Sequence, residues 1–236
     1  TGAEVTITIG DYSDVWMPTA GYASRLQLLD AVSSARADDF RYNEVTGTAV
    51  LPPAVESGYE YRISTLVPTT VDDSVLAEAD VLPVVLPPAD NVPDILASKA
   101  LEFVGSEESP IAQLRALEVQ LKSAGFLSHG LASDSVPSRS GHGADRMAEL
   151  FERPQMVGDE EQYASAFALM ARSLGYPARV VMGFAPDVPE GGGQVSVTGY
   201  DVTAWVEVAF DGAAFATCEA HDLLHLLVPQ VDVAHE

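Results

Sequence analysis

Apolar and polar residues alternate along the first part of the chain with the two-residue period of half-buried strands. Val5 to Ile9 alternates, Phe40 to Asn43 and Thr48 to Leu51 flank a turn at Thr46 and Gly47, and a second alternating run follows Ser57 and Gly58. In that run Tyr59, Tyr61, Ile63, Thr65 and Val67 share one face. Prolines then break the pattern. Val81 to Pro93 carries Pro83, Pro87, Pro88 and Pro93, which suits neither a central strand nor a helix. This stretch predicts a linker with a boundary near residue 90, giving a β-rich domain over 1–90 and a second domain over 91–236.

From Pro93 to Val104 the spacing turns helical, and Ser109 with Pro110 supplies an N-cap and first-turn proline for a helix through Leu114, Leu117 and Leu121, stopping at Gly125. Phe126 to Gly143, rich in Ser, Gly and Pro, predicts a long loop; Gly143 to Glu152 predicts a short helix presenting Met147, Leu150 and Phe151. In the next helix Tyr163, Phe167, Met170 and Leu174 recur at spacings of four, three and four, the mark of a buried stripe. Strand-like runs follow at Ala178 to Phe184, Val195 to Thr198, Val202 to Phe210 and Ala213 to Cys218. Helices followed by sheet predict an α+β fold for this half.

Composition narrows the function. With 236 residues, 47% of them hydrophobic, the chain can bury a substantial core. Its 35 acidic and 12 basic residues give a net charge of −23, which repels nucleic acid and anionic membrane surfaces. The single cysteine, Cys218, rules out an internal disulfide and reads as a buried strand thiol. No run approaches the roughly eighteen apolar residues of a membrane helix. The opening Thr1-Gly2-Ala3-Glu4 has no signal-peptide profile, and the expectation is a piece of a longer protein.

The residues ahead of the buried stripe hold the candidate chemistry. Glu160, three positions before Tyr163, lies on the inward side of the first turn, at the positive end of the helix dipole. A thiolate would be stabilised there, and a carboxylate equally so. Glu160 reads either as the charge of a lost nucleophile or as an ordinary first-turn glutamate.

Gly158-Asp159-Glu160-Glu161-Gln162, the apolar helix after it and Gly175-Tyr176-Pro177-Ala178-Arg179-Val180-Val181 decide between these readings. This stretch, to Gly183, resembles the nucleophile segment of the bacterial transglutaminase-like superfamily, a papain-like fold with cysteine where Glu160 stands. The resemblance runs over about residues 111–219 and implies a core of helices packed on an antiparallel sheet. In that family a histidine follows in a His-Ala-Trp-Val-Glu-Val context; here Thr203-Ala204-Trp205-Val206-Glu207-Val208 puts Thr203 at that position. The aspartate position falls on Glu219. The first ninety residues, through Trp16 to Gly21, resemble the domain preceding the core in membrane-anchored actinobacterial members. This implies an extracytoplasmic domain, tethered to the membrane in the full-length protein.

A Cys–His–Asp triad needs a thiol, a base and a carboxylate to orient that base. Threonine with two carboxylates supplies neither nucleophile nor neutral-pH base, so the expectation is a non-catalytic module that binds or scaffolds peptides or cell-wall components of the envelope, without a cofactor. The rival is a hydrolase or cation-dependent enzyme using Glu160 and Glu219 as acid and base in the former triad groove. Groove candidates are Asp159, Gln162, Asp201, Trp205 and Glu207, with His142 at the mouth of a helix. Glu160, Asp201 and Glu219 form an oxygen-rich set that would suit calcium if they converge. His221 and His225, four apart, have the spacing of a helical metal pair but no third histidine nearby. The loop Pro186 to Tyr200, with Gly191, Gly192 and Gly193, is expected to border the groove.

Overall fold

The computed structural model describes residues 2–66, 71–131, 134, 136–186, 188–189 and 192–211, together with the backbone of 213–219. Contacts divide the chain into two units, one built mainly from Thr1–Thr69 and one from Thr70–Asp187 and Val195–Pro229.

The first unit holds two three-stranded antiparallel sheets. Strands β1 (Gly2–Thr8), β3 (Tyr22–Leu28) and β6 (Glu60–Leu66) form one, with β6 central. Strands β2 (Asp14–Met17), β4 (Arg41–Asn43) and β5 (Thr48–Val55) form the other, and a one-turn helix α1 (Ala31–Ser34) follows β3. The alternation over β6 is realised as expected: Tyr59, Tyr61, Ile63 and Thr65 are all buried, joined by Ile9, Met17, Leu51 and Val55 in one core. Val67 lies outside the described residues. Strands β2 and β3 and helix α1 leave no clear alternation in the sequence, because their short runs present mostly half-exposed side chains.

The second unit begins about twenty residues before the predicted boundary. Its first helix, α2 (Asp73–Leu76), places Leu76 in the same core as the later helices, with Val71, Ala79, Val81 and Val92 packed against it. Leu82 N donates to Ala209 O at 3.0 Å and Asp211 N to Asp80 O at 2.8 Å. The prolines therefore mark an edge segment bonded to a strand end, which tolerates residues lacking an N–H. The boundary near residue 90 is corrected to one near residue 70.

Helices α3 (Asp94–Val104), α4 (Pro110–Ala124), α5 (Ala144–Glu152) and α6 (Glu160–Ser173) follow, close to their predicted limits. Ser109 caps α4 by accepting from Ala112 N, with proline in the first turn. The predicted loop after Gly125 opens with β7 (Gly125–Leu127), which pairs in parallel with β8 (Met156–Gly158). Strands β9 (Ala178–Phe184), β10 (Val202–Phe210) and β11 (Ala213–Glu219) form an antiparallel sheet with β10 central. The strand expected over Val195 to Thr198 is absent; Thr198 instead caps a short 3-10 turn, Gly199–Asp201.

At the centre lies α6. Its alanines Ala164, Ala166, Ala168 and Ala171 are buried, and such small side chains admit close neighbours on several sides. Tyr163, Phe167 and Met170 complete the predicted stripe, packing with Leu96, Leu114, Leu117 and Leu150 of the other helices and with Ala204, Val206 and Val208 of β10. Helices on an antiparallel sheet make this unit α+β, as expected.

Candidate functional site

The first turn of α6 is fixed by a reciprocal cap. Gln162 N donates to Asp159 Oδ1 at 3.3 Å, and Asp159 N donates to Gln162 Oε1 at 2.9 Å, so two donors of the helix start are satisfied together. Burial pushes the Asp159 carboxyl above its usual range, opposed by the bond from Gln162 N and reinforced by the charges of Glu160 and Glu161. Gln162 is fully buried. Its Nε2 donates onward to Gly141 O at 2.9 Å and to Glu161 Oε2 at 3.1 Å. What reads in sequence as a groove residue is thus a bolt between the helix start and the loop before α5.

Glu160 points inward as its spacing predicts and is 8% exposed. Its Oε2 lies 3.4 Å from Nδ1 of His129, a loop residue that sequence reasoning did not single out. One residue on, Glu161 Oε1 meets His142 Nδ1 at 2.5 Å. Two adjacent carboxylates therefore each face an imidazole, and both pairs become ion pairs when the histidines are protonated. His142 sits over Glu161 and not beside Glu160. Neither histidine lies in a periodic segment, so no spacing could have announced its partner.

A buried arginine holds the loop that carries these groups. Arg146 of α5, 4% exposed, donates from Nε to Arg139 O at 2.9 Å and from Nη2 to Ser138 Oγ at 3.0 Å and Val157 O at 2.6 Å. Ser128, also buried, donates to Val136 O at 2.6 Å, and its own N–H bonds Gly158 O at 2.8 Å. Tyr163 Oη accepts from Phe126 N at 2.9 Å and lies 3.1 Å from Met156 O; burial raises its phenol to about 12. Both ends of the loop are thus fastened to the strand leading into α6.

Thr203 is buried at 8% exposure, and its Oγ1 finds no hydrogen-bond partner among the described residues. It makes no bond to Glu160. A hydroxyl desolvated without a partner costs about 1–3 kcal/mol. Thr203→Val, which keeps the shape and drops the hydroxyl, is expected to leave stability unchanged or raise it by up to about 1 kcal/mol, read from the urea midpoint. A loss above about 1 kcal/mol would mean that the hydroxyl has a partner.

The remaining candidates are occupied elsewhere. Asp201 Oδ2 accepts from Thr198 N at 2.6 Å and Thr198 Oγ1 at 3.0 Å, capping its own turn. Glu207 stands across from Arg179 and accepts from its Nε at 2.9 Å and Nη2 at 2.6 Å, while its Oε1 receives Trp205 Nε1 at 3.3 Å. The Trp205 ring lies against Gly183, where a Cβ would come within 2.7 Å of the indole. Thr203, Trp205 and Glu207 alternate onto one face of β10, whereas Asp201 lies in the turn before the strand and Glu207 takes its cross-strand cation. The set of Glu160, Asp201 and Glu219 proposed for calcium loses Asp201 to its cap. Among the described residues no group of three or more His, Cys, Asp or Glu is placed to hold a metal ion. The backbone of Glu219 pairs with Trp205 in β11; the side chains of Glu219 and Cys218, and all of His221 and His225, lie outside the described residues.

Comparison with known proteins gives the fold its context. The model of the transglutaminase-like superfamily matches residues 97–220. The periplasmic domain of TgpA from Pseudomonas aeruginosa shares the fold with a TM-score of 0.58 and 20% identity, over 93% of this chain and 69% of that one. Its ethylmercury-bound form gives 0.56 at 20% identity, over 93% and 72%. A proposed cysteine protease from Cytophaga hutchinsonii gives 0.51 at 18% identity, over 94% and 75%. No curated protein matches the sequence. With the family model covering more than half of its residues, and helices packed on an antiparallel sheet, the chain belongs to the transglutaminase-like superfamily.

Proposed function

We propose that this chain is a non-catalytic transglutaminase-like domain, lying outside the cytoplasm and tethered to the membrane in its full-length protein, that binds or scaffolds peptides or cell-wall components of the envelope. The observation that carries this reading is the pair of groups at the expected nucleophile and base positions. Glu160 is a buried carboxylate beside His129, and Thr203 is a buried hydroxyl without a partner among the described residues. A carboxylate is a poor nucleophile toward an amide, a threonine hydroxyl needs an adjacent base to become one, and threonine carries no base titrating near neutral pH. We read Glu160, Thr203 and Glu219 as a degenerate triad. The resemblance of the fold to a periplasmic domain supports the extracytoplasmic placement.

One observation favours a second reading, a hydrolase: the His129–Glu160 pair is an imidazole–carboxylate couple of the kind used in acid–base chemistry, with Glu219 as the second carboxylate. The two readings separate in one experiment. The unmodified protein should release no product from amide or ester substrates, while Glu160→Cys with Thr203→His should gain hydrolysis or acyl transfer above background. Turnover by the unmodified protein that is lost in Glu160→Gln and in His129→Ala would establish the hydrolase instead.

A further inference from the structure

The outer edge of β9 is open among the described residues. Its other edge pairs with β10, and no strand among the described residues bonds to this one. Exposed edges are normally guarded by lysine, proline or a bulge. Here the only charged residue of the strand, Arg179, is turned to Glu207, and Val180, Met182 and Phe184 are 40%, 67% and 43% exposed. Beside this edge runs a cavity of about 540 Å³ with α6 and the proline-rich segment 86–93 also in its lining.

The charges along this groove are ordered. Glu161, with its partner His142, lines it at the start of α6, and Arg172 lines it near the end of the same helix. Arg172 donates to the carbonyl of Pro87 and has no carboxylate partner among the described residues, in a chain with 35 acidic side chains. Arg179 is taken by Glu207, and Asp90 of the proline-rich segment is the remaining charged group in the lining. Glu161 and Arg172 stand eleven positions apart on the helix, about 16 Å, which an extended chain covers in about five residues. A short turn joins α6 to β9, so Ala178 stands at the Arg172 end and Phe184 toward the Glu161 end.

We infer that the groove binds the last five or so residues of an extended peptide, added antiparallel to β9, with its C-terminal carboxylate on Arg172. Antiparallel pairing runs the peptide from the Phe184 end to the Ala178 end, bringing its amino-terminal side to the acidic groups and its carboxylate to the unmatched guanidinium. Main-chain bonds to the edge supply affinity, and alternate apolar side chains enter the cavity beside Val180 and Met182. This rests on the peptide-binding reading above and assigns it a site away from Glu160 and Thr203.

The test uses the synthetic pentapeptide Ala-Val-Ala-Leu-Ala with a free carboxylate, its C-terminal amide, and two forms N-methylated at alternate residues, titrated against the protein. The free acid is expected to bind; amidation and Arg172→Gln should each weaken binding by roughly tenfold or more, without adding when combined. Arg172→Lys should keep most of the affinity, and one N-methylated form should lose binding while the other keeps it. Binding that ignores Arg172 and the carboxylate, or no binding by any of the peptides, would overturn the groove. Binding lost in Thr203→Val but kept in Arg172→Gln would overturn the groove and leave the peptide-binding reading standing. Cleavage of the peptides, seen by mass spectrometry, would instead remove the non-catalytic reading.

Discussion

Arg146→Met is expected to destabilise the second unit by about 3 kcal/mol. The substitution keeps most of the aliphatic stem but removes three hydrogen bonds from a buried guanidinium, to Arg139 O, Ser138 Oγ and Val157 O. Hydrogen bonds to a charged group contribute about 1.5–3 kcal/mol each, and a buried carbonyl left without a donor costs about 1–3 kcal/mol. Against this stands the desolvation of the cation itself, which methionine relieves. The orphaned acceptors should outweigh the relief, because Val157 is buried in β8 and cannot turn to water without breaking the strand pair. Urea unfolding is the measurement: with a slope of about 2 kcal/mol/M, the midpoint should fall by about 1.5 M with the slope unchanged. A shift under about 0.5 M would show that the three bonds merely repay the cost of burying the charge.

Gln162 is the second position where a large effect is expected, and for one substitution its size depends on pH. Gln162→Ala removes the acceptor for Asp159 N and the donor for Gly141 O, and leaves space in the core, at a cost of about 3 kcal/mol at any pH. Gln162→Glu keeps the shape and the acceptor, yet sets an anion beside Asp159, Glu160 and Glu161 and against the Gly141 carbonyl. Its folded pKa should then lie above the ordinary glutamate value of about 4.3. Between that value and the raised one, the folded state binds more protons than the unfolded state. Stability is therefore retained below about pH 4 and lost as pH rises through the folded pKa. Thermal melts of Gln162→Glu at pH 4 and pH 7, each referred to the unmodified protein, check this. A deficit equal at both pH values would mean that the new carboxyl has found solvent.

The helices of the second unit were legible because burial imposes a period. Tyr163, Phe167 and Met170 announced the inner face of α6, and the same spacing placed Glu160 inside. The family resemblance rested on the same segment. What stayed hidden is made of single long-range bonds. His129 with Glu160, His142 with Glu161 and Arg146 with three acceptors connect residues of different segments through groups that leave no periodic trace. Alternation places Trp205 and Glu207 on one face, but only the register of β9 shows that Glu207 meets Arg179 across the sheet. The domain boundary slipped for a related reason. Prolines suggest chain leaving the fold, whereas Leu76 and Val81 show chain already packed into the second core.

The indole resting on Gly183 has a practical use. The chain holds two tryptophans, Trp16 in the first unit and Trp205 in the second. Trp16 is largely solvated, while Trp205 is partly covered, with its ring N–H on a carboxylate that is itself ion-paired. Each unit thus carries its own fluorophore in a different environment. Trp16→Phe leaves one optical reporter two residues from Thr203, and the fluorescence of that single ring gives the unfolding of the second unit free of signal from the first.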